Sequence, residues 1–108
     1  MNMIFAKGEV MRLDGMIAYA EGGVVSKQVL KSNAGNITLF AFDKGQGLSE
    51  HTAPFDAFVQ VLDGVVDITL GGNVIRLTAG ESAIMPANVA HALSAVEPFK
   101  MLLTMIRG

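Results

Sequence analysis

Two histidines are the side chains of this 108-residue sequence with the widest range of chemistry, His51 and His91. A neutral imidazole is a common ligand of zinc, copper, nickel and iron, and histidine is the side chain that titrates closest to neutral pH. The sequence has no cysteine, which excludes thiolate nucleophiles, disulfides and cysteine-ligated metal sites. Two isolated histidines are a weak signal by themselves, and positions without a chemical task are the more common interpretation of such a pair.

Other kinds of chemistry find little support in the sequence. The pair Gly71-Gly72 is not followed by the Gly-Lys-Ser/Thr of a phosphate loop, and there is no Gly-x-Ser-x-Gly motif. The carboxylates are distributed singly, so no acid–base pair is indicated. A net charge of −2 with scattered lysines and arginines gives no reason to expect nucleic acid as a partner.

No segment has the pattern of a membrane span or a secretion signal. The longest stretch without a charge runs from Ser82 to Val96, and Pro86, Asn88 and His91 interrupt it. The apolar run at the start of the sequence is too short for a signal peptide. The sequence therefore predicts a cytoplasmic protein with no membrane partner.

Short apolar runs separated by glycine-containing turns dominate the sequence. About nine strands at this spacing predict an all-β antiparallel sandwich or barrel, and only residues 8–20 have a weak helical period. Asp63-Gly64 and Gly71-Gly72 are both interpreted as tight hairpin turns. The clearest predicted strands are Val24 to Leu30, Asn36 to Phe42, Phe55 to Leu62, Val65 to Leu70, Asn73 to Leu77, Ser82 to Met85, Ala92 to Val96 and Phe99 to Ile106.

The composition indicates one core and an apolar surplus. A chain of 108 residues is one domain, covering residues 1–108. Hydrophobic residues make up 51% and charged residues 17%, against a usual charged share of about 25%. Because a body this small cannot bury so much apolar surface alone, we expect a homodimer that covers a sheet face or exchanges an edge strand.

The spacing around the histidines resembles two family signatures. Residues 45–64 read Gly45-x5-His51-x-Ala53-x3-Ala57-x6-Gly64, which is similar to the first cupin signature, G-x5-H-x-H-x3,4-E-x6-G. Residues 80–95 read Gly80-x5-Pro86-x-Asn88-x2-His91-x3-Ala95, which is similar to the second, G-x5-P-x-G-x2-H-x3-N. Residues 65–79 between them match the short spacing of small bacterial cupins.

The resemblance implies a double-stranded β-helix, a jelly-roll barrel with its functional site at an open mouth. In metal-binding cupins, both histidines and the glutamate of the first signature, together with the histidine of the second, bind one divalent ion. This sequence keeps His51 and His91 but has Ala53 and Ala57 at the other two positions. These two departures each remove a ligand, whereas the glycines and the proline are mostly kept.

A rebuilt metal site would need a carboxylate from nearby. Strand alternation places residues 51, 53 and 57 on one face, and Glu50 and Asp56 on the other, unless a bulge or the kink at Pro54 re-aims one of them. Either carboxylate could then join His51 and His91 around iron, nickel, zinc, manganese or copper. Such a site would support the dioxygenase, isomerase or decarboxylase chemistry that the resemblance implies.

The two alanines also suggest a pocket that needs no metal. A wide apolar mouth with two imidazoles has the composition of a small-molecule site. Phe55, Phe58 or Met85 could instead fill the vacated space, which would leave an interaction module without a ligand. We expect a small-molecule binder with weak or no metal dependence, and the predicted pocket residues are His51, Ala53, Ala57, Met85 and His91.

Overall fold

The computed structural model describes residues 5–107, which contain nine strands and one short 3₁₀ turn, Leu13–Gly15. Short glycine- and proline-containing connections keep every strand between four and nine residues long. The strands are β1 (Val24–Ser32), β2 (Gly35–Phe42), β3 (Gly47–His51), β4 (Asp56–Asp63), β5 (Val65–Leu70), β6 (Asn73–Thr78), β7 (Ser82–Met85), β8 (His91–Ala95) and β9 (Phe99–Ile106).

The strands form two antiparallel sheets that pack face to face. The five-stranded sheet has the order β1-β2-β9-β4-β7, and the four-stranded sheet has the order β3-β8-β5-β6. The chain crosses repeatedly between the sheets, as in a jelly-roll double-stranded β-helix. The all-β prediction is confirmed.

The core lies between the sheets because the strands alternate apolar and polar residues. In β5, Val66 and Ile68 are fully buried, whereas Asp67 points outward. The Arg76 guanidinium on β6 donates to Asp67 at 2.8 Å and holds the pKa of that carboxyl below its ordinary value. Inside, the rings of Phe42 and Phe99 stack with centroids 4.6 Å apart.

One predicted hairpin is wrong. Gly71 and Gly72 do connect the paired strands β5 and β6, but Asp63-Gly64 joins β4 and β5, which belong to different sheets. Gly64 turns this corner with a φ of +80°, and an added Cβ would lie 1.8 Å from the carbonyl oxygen of Pro98. An Asp-Gly pair in the sequence indicates only that the backbone adopts a positive φ. A corner between two sheets needs that conformation as much as a hairpin does.

Residues 13–19, which we call the N-terminal strap, cover one half of the outer face of the five-stranded sheet. Ile17 of the strap is buried in one cluster with Leu39 and Ala41 of β2. The ammonium groups of Lys27 and Lys100 donate to strap carbonyl oxygens at 2.9 and 2.6 Å. The weak helical period of residues 8–20 thus corresponds to an irregular segment that contains only the 3₁₀ turn.

Tyr19, the only tyrosine, fastens the end of the strap and offers an optical probe of it. Its hydroxyl donates to a carboxylate oxygen of Asp63 at 2.5 Å. Burial, followed by that hydrogen bond and the carboxylate charge, raises the pKa of Tyr19 well above its usual 10.0. Because the fold favours the neutral phenol, this contribution to stability is complete below pH 10 and is lost as the pH rises through the folded-state pKa.

We therefore expect tyrosinate absorbance to appear only well above pH 10. Its midpoint should move down towards the ordinary value in Asp63→Asn, which removes the negative charge but keeps a side-chain oxygen. Ultraviolet titration of both proteins, with circular dichroism at each pH, measures this. Ordinary titration of Tyr19 in the folded wild-type protein would contradict the described contact.

Candidate functional site

The two short connections 52–55 and 86–90 lie at one end of the barrel, which we call the mouth. β3 and β7 end there, and β4 and β8 begin there. His51 is the last residue of β3 and His91 is the first residue of β8. The two histidines are direct partners across these antiparallel strands, so the fold brings together residues that are remote in sequence.

The imidazole rings of the two histidines contact each other through their outer nitrogen atoms. The Nε2 atoms of His51 and His91 are 3.1 Å apart, and the rings meet edge to face with centroids 4.3 Å apart. His91 is only 5% exposed, whereas His51 lies at the surface of the mouth. One imidazole is thus exposed and the other is buried, and solvent can reach the contact between them from the His51 side.

The contacts of the two Nδ1 atoms determine which nitrogen of each ring carries the hydrogen. Nδ1 of His51 lies 2.7 Å from the carbonyl oxygen of Ser49, and Nδ1 of His91 lies 3.2 Å from that of Val89. A carbonyl oxygen can only accept, so each Nδ1 must carry the hydrogen. Both Nε2 atoms then present lone pairs to each other, and this contact is stable only when a hydrogen or another electropositive group lies between them.

The opposite wall of the mouth belongs to the five-stranded sheet. Ala57 of β4 and Met85 of β7 are paired there, and they are 4% and 2% exposed. The same cross-strand row continues through Met105 of β9 to Asn36 of β2. Asn36 is a polar side chain of this row, next to Lys31 of the edge strand β1. Sequence reasoning missed it because the register of β2 against β9 has no local signal.

Of the three side chains that could fill the space next to the alanines, only Met85 lies in the core. Phe58 points to the outer face of its sheet, where it is 37% exposed. Phe55 lies in the 52–55 connection with the Arg107 guanidinium 5.1 Å from its ring centroid. The inner surface beside Ala57 is therefore lined by a flexible thioether rather than by an aromatic ring.

Backbone hydrogen bonds hold the two connections of the mouth together. The N–H of Asn88 donates to the carbonyl oxygen of Ala53 at 2.8 Å. Asn88 has a φ of 63°, and it occupies the position where the second cupin signature has glycine. Asparagine is among the few residues that adopt this left-handed conformation at low cost, so the departure from the signature keeps the turn.

Asp56 also has a structural partner at the mouth. One of its carboxylate oxygens accepts the backbone N–H of Ala87 at 2.9 Å, which ties the start of β4 to the 86–90 connection. Its side chain lies on the same outward face as that of Phe58, as strand alternation predicts.

The residues present do not fit a resident metal ion. Two Nε2 atoms 3.1 Å apart could serve as neighbouring ligands of one ion, since Zn–N bonds are about 2.0–2.1 Å long. Stable sites nevertheless use three or four protein ligands, and Ala53 and Ala57 offer no donor. Within residues 5–107, Glu50 and Asp56 among them, no group of three or more histidine, cysteine, aspartate or glutamate side chains is placed to hold a metal.

Comparison with known proteins agrees with the architecture. The family model described as "Cupin domain" matches residues 38–106. The chain belongs to the cupin family. No functionally curated protein matches this cupin.

Solved structures extend the similarity over almost the whole cupin. A conserved protein of unknown function from Streptococcus pyogenes, SPY1581, is 33% identical with a TM-score of 0.91, over 95% of this chain and 90% of that one. A cupin superfamily protein from Desulfitobacterium hafniense is 26% identical with a TM-score of 0.91, over 98% and 97%. A cupin 2 conserved barrel domain protein from Leptotrichia buccalis is 39% identical with a TM-score of 0.87, over 90% of this chain but 47% of that one.

The described part of the cupin, residues 5–107, has no helix with the length and apolar character needed to cross a membrane.

Proposed function

We propose that this cupin is a cytoplasmic homodimer that binds a small molecule in the mouth of each barrel, oriented by His51 and His91 and without a resident metal ion. The observation that carries the proposal is the 3.1 Å approach of the two Nε2 atoms while each Nδ1 faces a backbone carbonyl oxygen. Two lone pairs that converge on one position form a hydrogen-bond acceptor site. Nothing in the described residues favours the metal-dependent alternative.

The lone pairs select the chemical class of the ligand. The 3.1 Å between the two nitrogens leaves no room for a heavy atom, so a ligand group must approach them from the open side of the mouth. It must supply a hydrogen or a positive charge, because both Nδ1 hydrogens are committed to carbonyl oxygens. A hydroxyl or a protonated amine meets this need and can donate to His51, His91 or both.

The remainder of the mouth favours an apolar ligand body. Ala57, Met85 and Met105 lie in one inner cross-strand row of the five-stranded sheet, which Asn36 continues. We propose that this row contacts the body of the ligand. A largely apolar wall with a few converging polar groups is the usual composition of a small-molecule site. We infer a ligand with a small hydrophobic part and a hydroxyl or amine donor, of which phenols, aliphatic alcohols and alkyl amines are the simplest examples.

Histidine-ring NMR during titration with phenol, cyclohexanol and cyclohexylamine tests this proposal. We expect at least one of these probes to move the ring signals of both His51 and His91 with the same dissociation constant. His51→Ala and His91→Ala should each weaken that binding about tenfold or more, because a hydrogen bond to one imidazole is lost. Val24→Ala, at the opposite end of the barrel, is the control and should bind normally.

Either of two results would contradict the proposal. If all three probes leave both ring signals in place, or if both histidine variants bind like the wild-type protein, the mouth is not the binding site.

A further inference from the structure

The outer face of the five-stranded sheet carries a largely apolar surface on the half that the N-terminal strap leaves open, with Thr104 as the polar residue of its main row. One cross-strand row runs from β1 to β7 through Leu30, Ile37, Thr104, Phe58 and Ile84. Ile84 is 62% exposed, and Ile106 in the neighbouring row is 59% exposed. We call the apolar side chains of these rows the apolar band: Leu30, Ile37, Phe58, Ile84 and Ile106.

The half of this outer face that the N-terminal strap covers also carries apolar side chains. Where the strap lies, Leu39 and Ala41 on β2 are fully buried beneath Ile17. The pleat that carries Leu39 to this outer face carries Ile37 to the same face two residues earlier. Both halves of the outer face thus carry apolar side chains, and the described part of the chain covers one of the two halves.

The edge strand next to the band is short and carries no charged side chain. Three of the four edge strands of the two sheets contain a charged residue, namely β1, β3 and β6 with Lys27, Glu50 and Arg76 among them. β7, with the sequence Ser-Ala-Ile-Met, contains none. Charged side chains on edge strands are a common device against unwanted association, so an uncharged edge beside an apolar face favours a real interface.

Two shallow grooves on either side of β9, the central strand of the sheet, complete the surface. One has a volume of about 220 Å³ and Lys31 as its only charged lining residue, and the other has about 380 Å³ and Asp56. Thr104 and Ile106 of β9 line both grooves. A strongly charged partner would be repelled by one groove or the other, whereas a second copy brings both signs and can pair unlike charges.

We propose that the apolar band is the surface through which two copies of this cupin associate. Five strands about 4.8 Å apart and rows about 7 Å apart give the band an area on the order of 350 Å². That is the size of the apolar centre of a standard interface, which buries about 800 Å² per partner with its polar rim. This proposal rests on the proposed function, in which the protein is a homodimer.

Sedimentation equilibrium of the full chain tests the surface with a matched pair of variants. Ile84→Glu and Val74→Glu change two strand residues that are both 62% exposed, but Val74 lies on β6 of the other sheet. We expect Ile84→Glu to weaken dimerisation about 30-fold or more, because it would bury a charge at the most exposed side chain of the band, and Val74→Glu to leave it unchanged. Ile106→Glu is a second band variant, and circular dichroism verifies that each protein is folded.

The possible failures are distinguishable. A wild-type protein that stays monomeric at high micromolar concentration overturns the band as a self-association surface and the homodimer as well, but not the ligand site at the mouth. A wild-type dimer that survives both Ile84→Glu and Ile106→Glu as folded proteins overturns the band alone. Loss of the dimer in Val74→Glu, with Ile84→Glu unaffected, places the interface on the other sheet and also overturns the proposal.

Discussion

Replacing Gly64 with alanine is expected to lower the free energy of unfolding by about 4 kcal/mol or more, a loss reserved for the most severe single substitutions. The added Cβ would lie 1.8 Å from the carbonyl oxygen of Pro98 and 2.7 Å from the Cα of Phe99. Both contacts are with backbone, so no side chain can rotate away. Relief requires separating the β4–β5 corner from the start of β9, where Phe99 is fully buried.

Gly72→Ala is the matched control for this prediction. Gly72 also has a positive φ, +93°, but an added Cβ there meets nothing within 4 Å. Only the backbone strain remains, so we expect a loss of about 1–2 kcal/mol. Urea denaturation of the three proteins measures both values. Equal losses in the two variants would show that backbone strain alone, and not the close approach to Pro98, makes glycine necessary at the corner.

Restoring the two missing ligands should convert the mouth into a metal site. The double variant Ala53→His, Ala57→Glu would complete the ligand set that the cupin signatures imply, with His51 and His91 already 3.1 Å apart at their Nε2 atoms. We expect zinc or nickel affinity to rise at least about 100-fold, because two nitrogen ligands become three and a charged carboxylate is added. Without metal the variant should lose about 3 kcal/mol of stability, since position 57 is only 4% exposed and a carboxylate there would be desolvated.

Metal analysis and thermal melting, each with and without chelator, measure this gain. The control is the same double variant with His91→Ala added, which should lose most of the acquired affinity. We expect the wild-type protein, purified without chelator, to contain well under one ion per chain. One tightly held ion per wild-type chain would contradict the interpretation of the mouth as metal-free. If the double variant gained no metal affinity, the alanines would not be the reason for weak metal binding.

Much of the fold follows from local signals in the sequence. Turn residues separated the predicted strands, and the alternation of apolar and polar residues in β5 agrees with its buried Val66 and Ile68. The signature spacing from Gly45 to Ala95 predicted the jelly-roll architecture, and it placed His51 and His91 at one mouth. The departure at Asn88 from the signature glycine left the turn intact, because asparagine tolerates the φ of 63° that it adopts.

Other features depend on contacts that no local pattern encodes. Asp63-Gly64 was interpreted as a hairpin because the dipeptide shows the backbone conformation but not which strands it joins. The register that aligns Asn36 with Ala57 through Met105 depends on the pairing of three strands. The strap covers the sheet through tertiary packing of Ile17 and side-chain bonds from Lys27 and Lys100, and its sequence has only a weak period.

The pairing of the two Nε2 lone pairs is the central claim, and ¹⁵N NMR of the histidine rings tests it most directly. We expect both Nδ1 atoms of the folded protein to carry hydrogen, and both Nε2 atoms to show acceptor character or one shared hydrogen. A bound alcohol or amine should change the Nε2 signals and leave the Nδ1 signals nearly unchanged. Two rings that each carry hydrogen on Nε2 and none on Nδ1 would contradict the acceptor site, and with it the ligand class that we propose.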